Sequence, residues 1–261
     1  MTEAIAREGF LAARTAVVTG AGRGIGQATA VALARAGVRA VALVARTEQQ
    51  LETTAELVRE AGATAVILPA NLIELYQIED LAVLLKERVG HIDLLINNAG
   101  TVAPLGPSAE LSAIGILDAF RLNTIAPVLL AGHLLPGMVA EGWGRIVNVS
   151  SGVVAHPEGM IGGSTYAATK AALEAQTVSM AAEYGDTGVT INAYRPGGVD
   201  TAMQGWIRAQ DPQQIGHSLH DRFIANHESG RLLTAEDSGA ALVAHLSSNE
   251  TGQIWDVADQ L

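Results

Sequence analysis

The chain has no cysteine. That excludes a disulfide framework, a thiol nucleophile and a thiolate metal site. It has no long uninterrupted apolar run. The most apolar segment, from Ile125 to Ala140, is broken by Pro127, His133 and Pro136, which argues against a membrane span. Basic residues are few and scattered, and the net charge is −11. Nucleic acid and anionic membrane surfaces are therefore poor partners. Residues Met1 to Ala13 include two acids and no apolar stretch, so they do not read as a signal peptide. No repeat, linker or low-complexity tract divides the chain. The expectation is one cytoplasmic domain spanning 1–261.

Much is present in compensation. Hydrophobic residues make up 49% of the 261, enough for a sizeable core. Ala16-Val17-Val18-Thr19 reads as a buried strand. Gly20-Ala21-Gly22-Arg23-Gly24-Ile25-Gly26 follows directly, then a helical pattern that Gly37 closes. A glycine turn between strand and helix lets backbone approach a pyrophosphate, beside the positive end of the helix dipole. A dinucleotide is the ligand this context suits; a merely flexible turn is the alternative. Val41-Ala42-Leu43-Val44 reads as a second strand, ending in Ala45-Arg46-Thr47. An acid at that end would hold a ribose 2′-hydroxyl, whereas an arginine accommodates a 2′-phosphate. Here the acid is absent and Arg46 is present, with Arg23 as a second phosphate partner. NADP(H) is thus preferred, with NAD(H) as second choice. A solvated Arg46 is the competing reading.

Further segments alternate. Helices are predicted over Thr47–Ala61, Glu74–Val89, Ser112–Ala140 and Thr165–Tyr184. Strands are predicted over Ala63–Leu68, Ile92–Ile96, Arg145–Val149 and Val189–Ala193. Unbroken apolar strands alternating with helices imply an α/β fold: a single doubly wound parallel sheet of Rossmann type, with helices on both faces. Ligands of such sheets sit at the carboxyl ends of the strands, where the glycine turn, Arg46, Asn98, Ser151 and Pro196-Gly197 fall. Thr165-Tyr166-Ala167-Ala168-Thr169-Lys170 opens a helix. Tyr166 and Lys170 lie one turn apart on one face. An ammonium beside a phenol favours the phenolate, as a tyrosine general acid or base near neutral pH requires. An exposed Tyr and Lys on an ordinary helix is the plainer alternative.

Taken together these segments resemble the short-chain dehydrogenase/reductase family over nearly the whole chain. Thr19-Gly20-xxx-Gly24-x-Gly26 is similar to its cofactor turn, and Asn97-Asn98-Ala99-Gly100 to its central-strand motif. Asn123 in Leu122-Asn123-Thr124 stands where the family has its active-site Asn. Ser151, Tyr166 and Lys170 match the catalytic Ser and the YxxxK motif. Pro196-Gly197-x-Val199-x-Thr201 matches the segment at the nicotinamide end. Asn71-Leu72 replaces the usual Asp and apolar pair after the third strand, and an amide can still hydrogen-bond near adenine. The resemblance implies that Gly20, Arg23, Gly24, Ile25, Gly26, Arg46, Asn71, Leu72, Asn98, Ala99, Gly100, Tyr166, Lys170, Pro196, Gly197, Val199 and Thr201 form the cofactor site. It implies a ketone–alcohol oxidoreductase in which Tyr166 moves the proton. Lys170 lowers the Tyr166 pKa and bonds the ribose, Ser151 holds the carbonyl oxygen, and Asn123 positions a relay water. Ser151 fits better than Ser150, which continues the strand.

Relatives of the sepiapterin reductase and 3-oxoacyl reductase types are equally similar. The small-molecule partner is a carbonyl or alcohol. The loop Val153–Gly163 is expected to bulge toward the substrate mouth. Residues 199–230 are expected to form a lid of one or two short helices, or to pack against the body. The family implies a homodimer or homotetramer through 112–140 and 165–184. A dinucleotide-binding regulator without turnover is the alternative function; an epimerase or dehydratase fits less well without an extra substrate domain. His217, His220 and His227, near Asp221 and Glu228, lack a metal-site pattern, so no metal is expected. Ser151 lacks a GxSxG elbow, which disfavours a hydrolase triad.

Overall fold

The computed structural model describes residues 9–259. The reading of residues 1–8 lies outside that range. Seven strands form one parallel sheet in the order β3-β2-β1-β4-β5-β6-β7. They are β1 (Thr15–Thr19), β2 (Ala40–Ala45), β3 (Thr64–Pro69), β4 (Leu94–Asn97), β5 (Gly144–Val149), β6 (Val189–Arg195) and β7 (Ile254–Asp256). The helices in order are α1 (Gly24–Arg35), α2 (Glu48–Glu60), α3 (Gln77–Arg88), α4 (Ala113–Phe120), α5 (Ala126–Ala140), α6 (Ser164–Tyr184), α7 (Ala202–Arg208), α8 (Pro212–Ile215), α9 (His217–Glu228) and α10 (Ala235–His245). The doubly wound parallel sheet follows from the alternation of apolar strands and helices, as the sequence implies.

Side chains of a strand alternate between faces, and here both faces are covered. Ala16 and Val18 of β1 join Leu33, Leu51 and Leu242 from α1, α2 and α10. Val17 joins Leu81, Leu130 and Met180 from α3, α5 and α6. This two-sided burial explains why the strands read as continuous apolar runs. Each fully buried leucine of the kind of Leu95, which is 0% exposed, contributes about 2 kcal/mol.

Three features differ from the sequence reading. The stretch predicted as one helix over Ser112–Ala140 contains a π-helical segment at Arg121–Ile125, between α4 and α5. The wider turn takes one carbonyl out of the regular ladder, and Asn123 sits in it with no exposed surface. By length and composition, Ala113–Ala140 is apolar enough to cross a membrane, with a mean hydropathy of 1.5 in its most apolar window. In the fold Ala126, Leu130 and Leu135 pack into the core. Residues 199–230 form three helices, α7, α8 and α9, not one or two. Proline at the start of α8 and Gly216 at φ +91 cut the segment into shorter pieces. Finally, α10 and β7 have no counterpart in the sequence reading. The α10 helix is rich in small residues, because Gly239 lies against α1: a Cβ there would sit 2.8 Å from Thr29 N. β7 is three residues long and fully buries only Trp255.

Candidate active site

The carboxyl ends of β1, β2, β4, β5 and β6 open on a cleft of about 360 Å³. Its floor is the glycine turn. Gly20 and Gly24 take φ +64 and +56, which favour glycine. A Cβ on Gly20 would meet Asn98 Nδ2 at 2.7 Å, and one on Gly26 would meet Gly20 O at 2.3 Å. These two glycines let the turn close on itself and on the end of β4. Gly24 is different: its nearest neighbour is Thr201 Cγ2 at 3.4 Å. A side chain there would fill the cleft where a pyrophosphate would lie against α1. The first turn of α1 carries no acid, and no side chain caps it. Its free N–H groups suit an anion.

At the end of β2, Ala45, Arg46 and Thr47 border the cleft, with Arg23 opposite. Both arginines are exposed. Among the described residues neither makes an ion pair. The residues present fit a dinucleotide with a phosphate on its ribose: space at Ala45, two unpaired guanidinium groups and no carboxylate. Asn71 and Leu72 also border the cleft. Asn71 Oδ1 accepts from the Ile73 N–H at 3.4 Å, so it partly closes its own turn. Leu72 is buried in the core.

At the other end of the cleft stand Tyr166 and Lys170 of α6, with Gly100, Pro196 and Thr201. The Ser151 hydroxyl lies close to the Tyr166 phenol. Burial pushes the phenol above its ordinary value, and the Ser151 hydroxyl opposes part of that rise. Burial also pushes the Lys170 ammonium down to about 8, against the upward pull of the Glu174 carboxylate. Lys170 Nζ donates to Val149 O at 2.7 Å. A Cβ on Gly100 would lie 3.2 Å from Asn123 Oδ1 and 3.6 Å from Lys170 Nζ, so the three share one small space. Asn123 itself is anchored: Nδ2 donates to Thr101 O at 2.8 Å, and Oδ1 accepts from Thr101 N at 2.8 Å. Nδ2 also donates to Thr169 Oγ1 at 3.0 Å.

The two serines differ in their contacts. Ser150 borders the cleft, and its buried hydroxyl donates to Glu174 Oε1 at 2.7 Å, while the Ser151 hydroxyl accepts from Val153 N at 3.3 Å and lies near the Tyr166 phenol. Ile25, Asn98 and Ala99 also line the cleft. Gly26, Gly197 and Val199 stand behind it as supports. Gly197 has φ +77 and lies against Val257 and Leu233, and Val199 bridges to Leu233. Sequence reasoning missed Gln50, Leu122 and Met203 on the cleft wall, and it missed Glu174 and Arg195 behind it. Glu174 follows Lys170 by one more helical turn, and Arg195 directly precedes Pro196, which was the available signal.

Over the open side, Ile207, Ile215, Leu219 and Phe223 of α7, α8 and α9 pack with Val102 and Met160, with Tyr166 and Met203 at the edge. The loop 152–163 folds into two 3₁₀ turns and gives Met160 to this cluster. Arg222 of α9 donates to Gly159 O, tying the three helices to that loop. The three histidines lie on α9, where His220 Nε2 contacts Arg208 O at 3.1 Å. Among the described residues no group of three or more potential ligands is arranged to hold a metal ion.

The chain is similar to known proteins in sequence and in fold. The sequence profile of the short chain dehydrogenase family matches residues 14–212. A hydroxynaphthalene reductase-like protein of Metarhizium majus is 35% identical, over 91% of this chain and 90% of its own. A ketoacyl reductase of Nostoc is 37% identical, over 83% of this chain and 74% of its own. A variant of actinorhodin polyketide ketoreductase, solved with NADPH, superposes with a TM-score of 0.83 at 32% identity, covering 94% of this chain and 95% of its own. The chain belongs to the short-chain dehydrogenase family and is an NAD(P)-dependent oxidoreductase.

Proposed function

We propose that the protein uses NADP(H) to interconvert a ketone and a secondary alcohol, with Tyr166 as the general acid of reduction and the base of oxidation. The carrying observation is the placement of Tyr166 and Lys170, one helical turn apart, together at the far end of a cleft that begins at Gly20 and Arg46. NADPH supplies the hydride. Ser151 holds the carbonyl oxygen against the Tyr166 hydroxyl, so the proton arrives as charge develops on that oxygen and no free alkoxide forms. A phenol raised by burial stays protonated at neutral pH, as a proton donor must. Lys170 is mostly charged there, which favours the phenolate left after transfer and gives the ribose hydroxyls a donor. Asn123, fixed to Thr101 and Thr169, holds the widened turn beside Lys170, where a water can return the proton.

Arg46 and Arg23 are the selectors for the 2′-phosphate. The apolar cluster under α7–α9 favours a carbonyl attached to a hydrophobic or aromatic body. The names of the relatives, a hydroxynaphthalene reductase-like protein and a polyketide ketoreductase, support that class. Ile114, Leu117, Ile125 and Leu129 on α4, the π turn and α5, with Val178 on α6, leave apolar side chains exposed. They suit a second copy of the chain in a homodimer or homotetramer.

The test is a panel of aliphatic and aromatic ketones and diketones with NADPH. The expected result is loss of NADPH absorbance with formation of a secondary alcohol. Tight NADPH binding without consumption across the panel would indicate a dinucleotide-binding regulator.

A further inference from the structure

A column of polar contacts joins α6 to the end of β5 behind the reacting groups. Tyr166, Lys170, Glu174 and Thr177 follow one another along one helix face. Lys170 Nζ donates to Val149 O at 2.7 Å, and Thr177 Oγ1 accepts from Asn148 Nδ2 at 2.9 Å. Between Lys170 and Thr177 lies the Glu174 carboxylate, 5% exposed. It accepts the Ser150 hydroxyl at 2.7 Å, and both Nε and Nη2 of Arg195 at 2.8 Å. A bidentate fork fixes direction as well as distance. One carboxylate therefore ties together three pieces of the site: the helix that carries Tyr166 and Lys170, the strand end before Ser151, and the end of β6 that leads to Pro196.

Stability alone is a weak reason for this arrangement. Burying an ion pair costs about as much desolvation as attraction returns, and apolar replacements are often as stable. What the pair does have is position, one turn from Lys170. The charged and titratable groups around Lys170 are few. Tyr166 and Glu174 share its helix face, and Arg195 at the end of β6 is paired with Glu174, with Asp256 of β7 acting on Arg195. On α4 and the π turn, Asp118 and Arg121 pair with each other at the surface at 3.0 Å. Arg145 lies at the opposite end of β5. Glu174 is the nearby carboxylate that opposes the desolvation of the ammonium.

We propose that Glu174, held by Arg195, is a positioning residue of the reaction: it keeps the Lys170 ammonium charged and fixes the Ser150–Ser151 strand end against Tyr166. This deepens the proposed function and rests on it.

The chain has two lysines, Lys86 and Lys170, so ¹³Cε-lysine labelling gives two resolvable side-chain signals. Lys86 is exposed on α3, and the titration of Lys170 is read directly, without substrate. In Glu174→Gln the Lys170 midpoint is expected to fall by roughly one to two pH units. The alkaline limb of kcat for NADPH-dependent reduction moves by the same amount, and KM for NADPH changes less than kcat. Glu174→Asp recovers part of the shift. Glu174→Gln with Arg195→Met removes both charges, carries the test if the single variant does not fold, and lowers the midpoint less. An unmoved midpoint in both folded variants overturns the role of Glu174, whatever the turnover. A moved midpoint in a protein that reduces no carbonyl overturns the proposed reaction and leaves the Lys170–Glu174 coupling standing.

Discussion

Asn98 donates its side-chain amide to Thr19 O at 2.9 Å, while the Thr19 hydroxyl accepts the backbone N–H groups of Asn98 and Ala99, each at 3.0 Å. The end of β4 is thereby locked to the end of β1, and the glycine turn is held between them. Two motifs far apart in sequence are one structural unit.

That unit has no spare room. A Cβ on Gly26 would lie 2.3 Å from Gly20 O and 2.4 Å from Asn98 Nδ2. Gly26→Ala must displace backbone, not just a flexible side chain, and is expected to cost about 1–3 kcal/mol. NADPH affinity should fall at least roughly tenfold, because the turn and the start of α1 move together. Urea unfolding and fluorescence titration of NADPH measure both. An alanine variant with unchanged stability and affinity would contradict the close packing.

Stability at alkaline pH reads the burial of Lys170. Its folded-state value, about 8, is below the ordinary 10.5. Between these values the unfolded chain binds a proton that the folded chain has released, so stability rises with pH through this window. Above about 10 the raised Tyr166 works in the opposite sense, since the folded state then keeps the extra proton. Relative to Lys170→Met, the wild type should gain about 2 kcal/mol between about pH 7.5 and 9.5. Parallel stability curves for the two proteins would contradict an ammonium held in a desolvated place.

Cofactor choice is tested at the end of β2. Ala45 leaves space, and Arg46 offers a guanidinium fork to a 2′-phosphate. Charge-assisted contacts are worth roughly 1.5–3 kcal/mol each. The wild type is expected to prefer NADPH over NADH by at least about tenfold in kcat/KM. Ala45→Asp with Arg46→Ala should reverse the preference. Equal use of both cofactors, with Arg46→Ala changing little, would identify Arg46 as a solvated residue at the start of α2.

The sequence carries much of this architecture because its signals are local. Buried strands such as Ala16–Thr19 are apolar on both faces, and the glycine turn sits between strand and helix in the chain itself. Tyr166 and Lys170 declare their shared face by spacing. What stayed hidden depends on tertiary contact. Glu174 and Arg195 look like solvated charges until β6 is laid beside α6. The α10 helix shows no wide apolar stripe, because Gly239 achieves its packing by being small. The π turn at Asn123 has no periodicity signal, since one extra residue in a turn shifts the register less than side-chain variation does. The division of residues 199–230 into three helices is not legible in the sequence, because Gly216 and Pro212 punctuate a polar stretch whose apolar residues, Ile207, Ile215, Leu219 and Phe223, meet only in space.

The central claim is that Tyr166 delivers the proton. The direct measurement is kcat for NADPH-dependent ketone reduction by the wild type and Tyr166→Phe, with NADPH affinity measured on the same samples. The hydroxyl acts mainly in the transition state, so removing it should lower kcat by roughly a hundredfold to ten-thousandfold. NADPH affinity should stay within about threefold, since the ring and Lys170 remain. A Tyr166→Phe protein that retains wild-type turnover to within about tenfold would contradict the assignment and return the proton to another group.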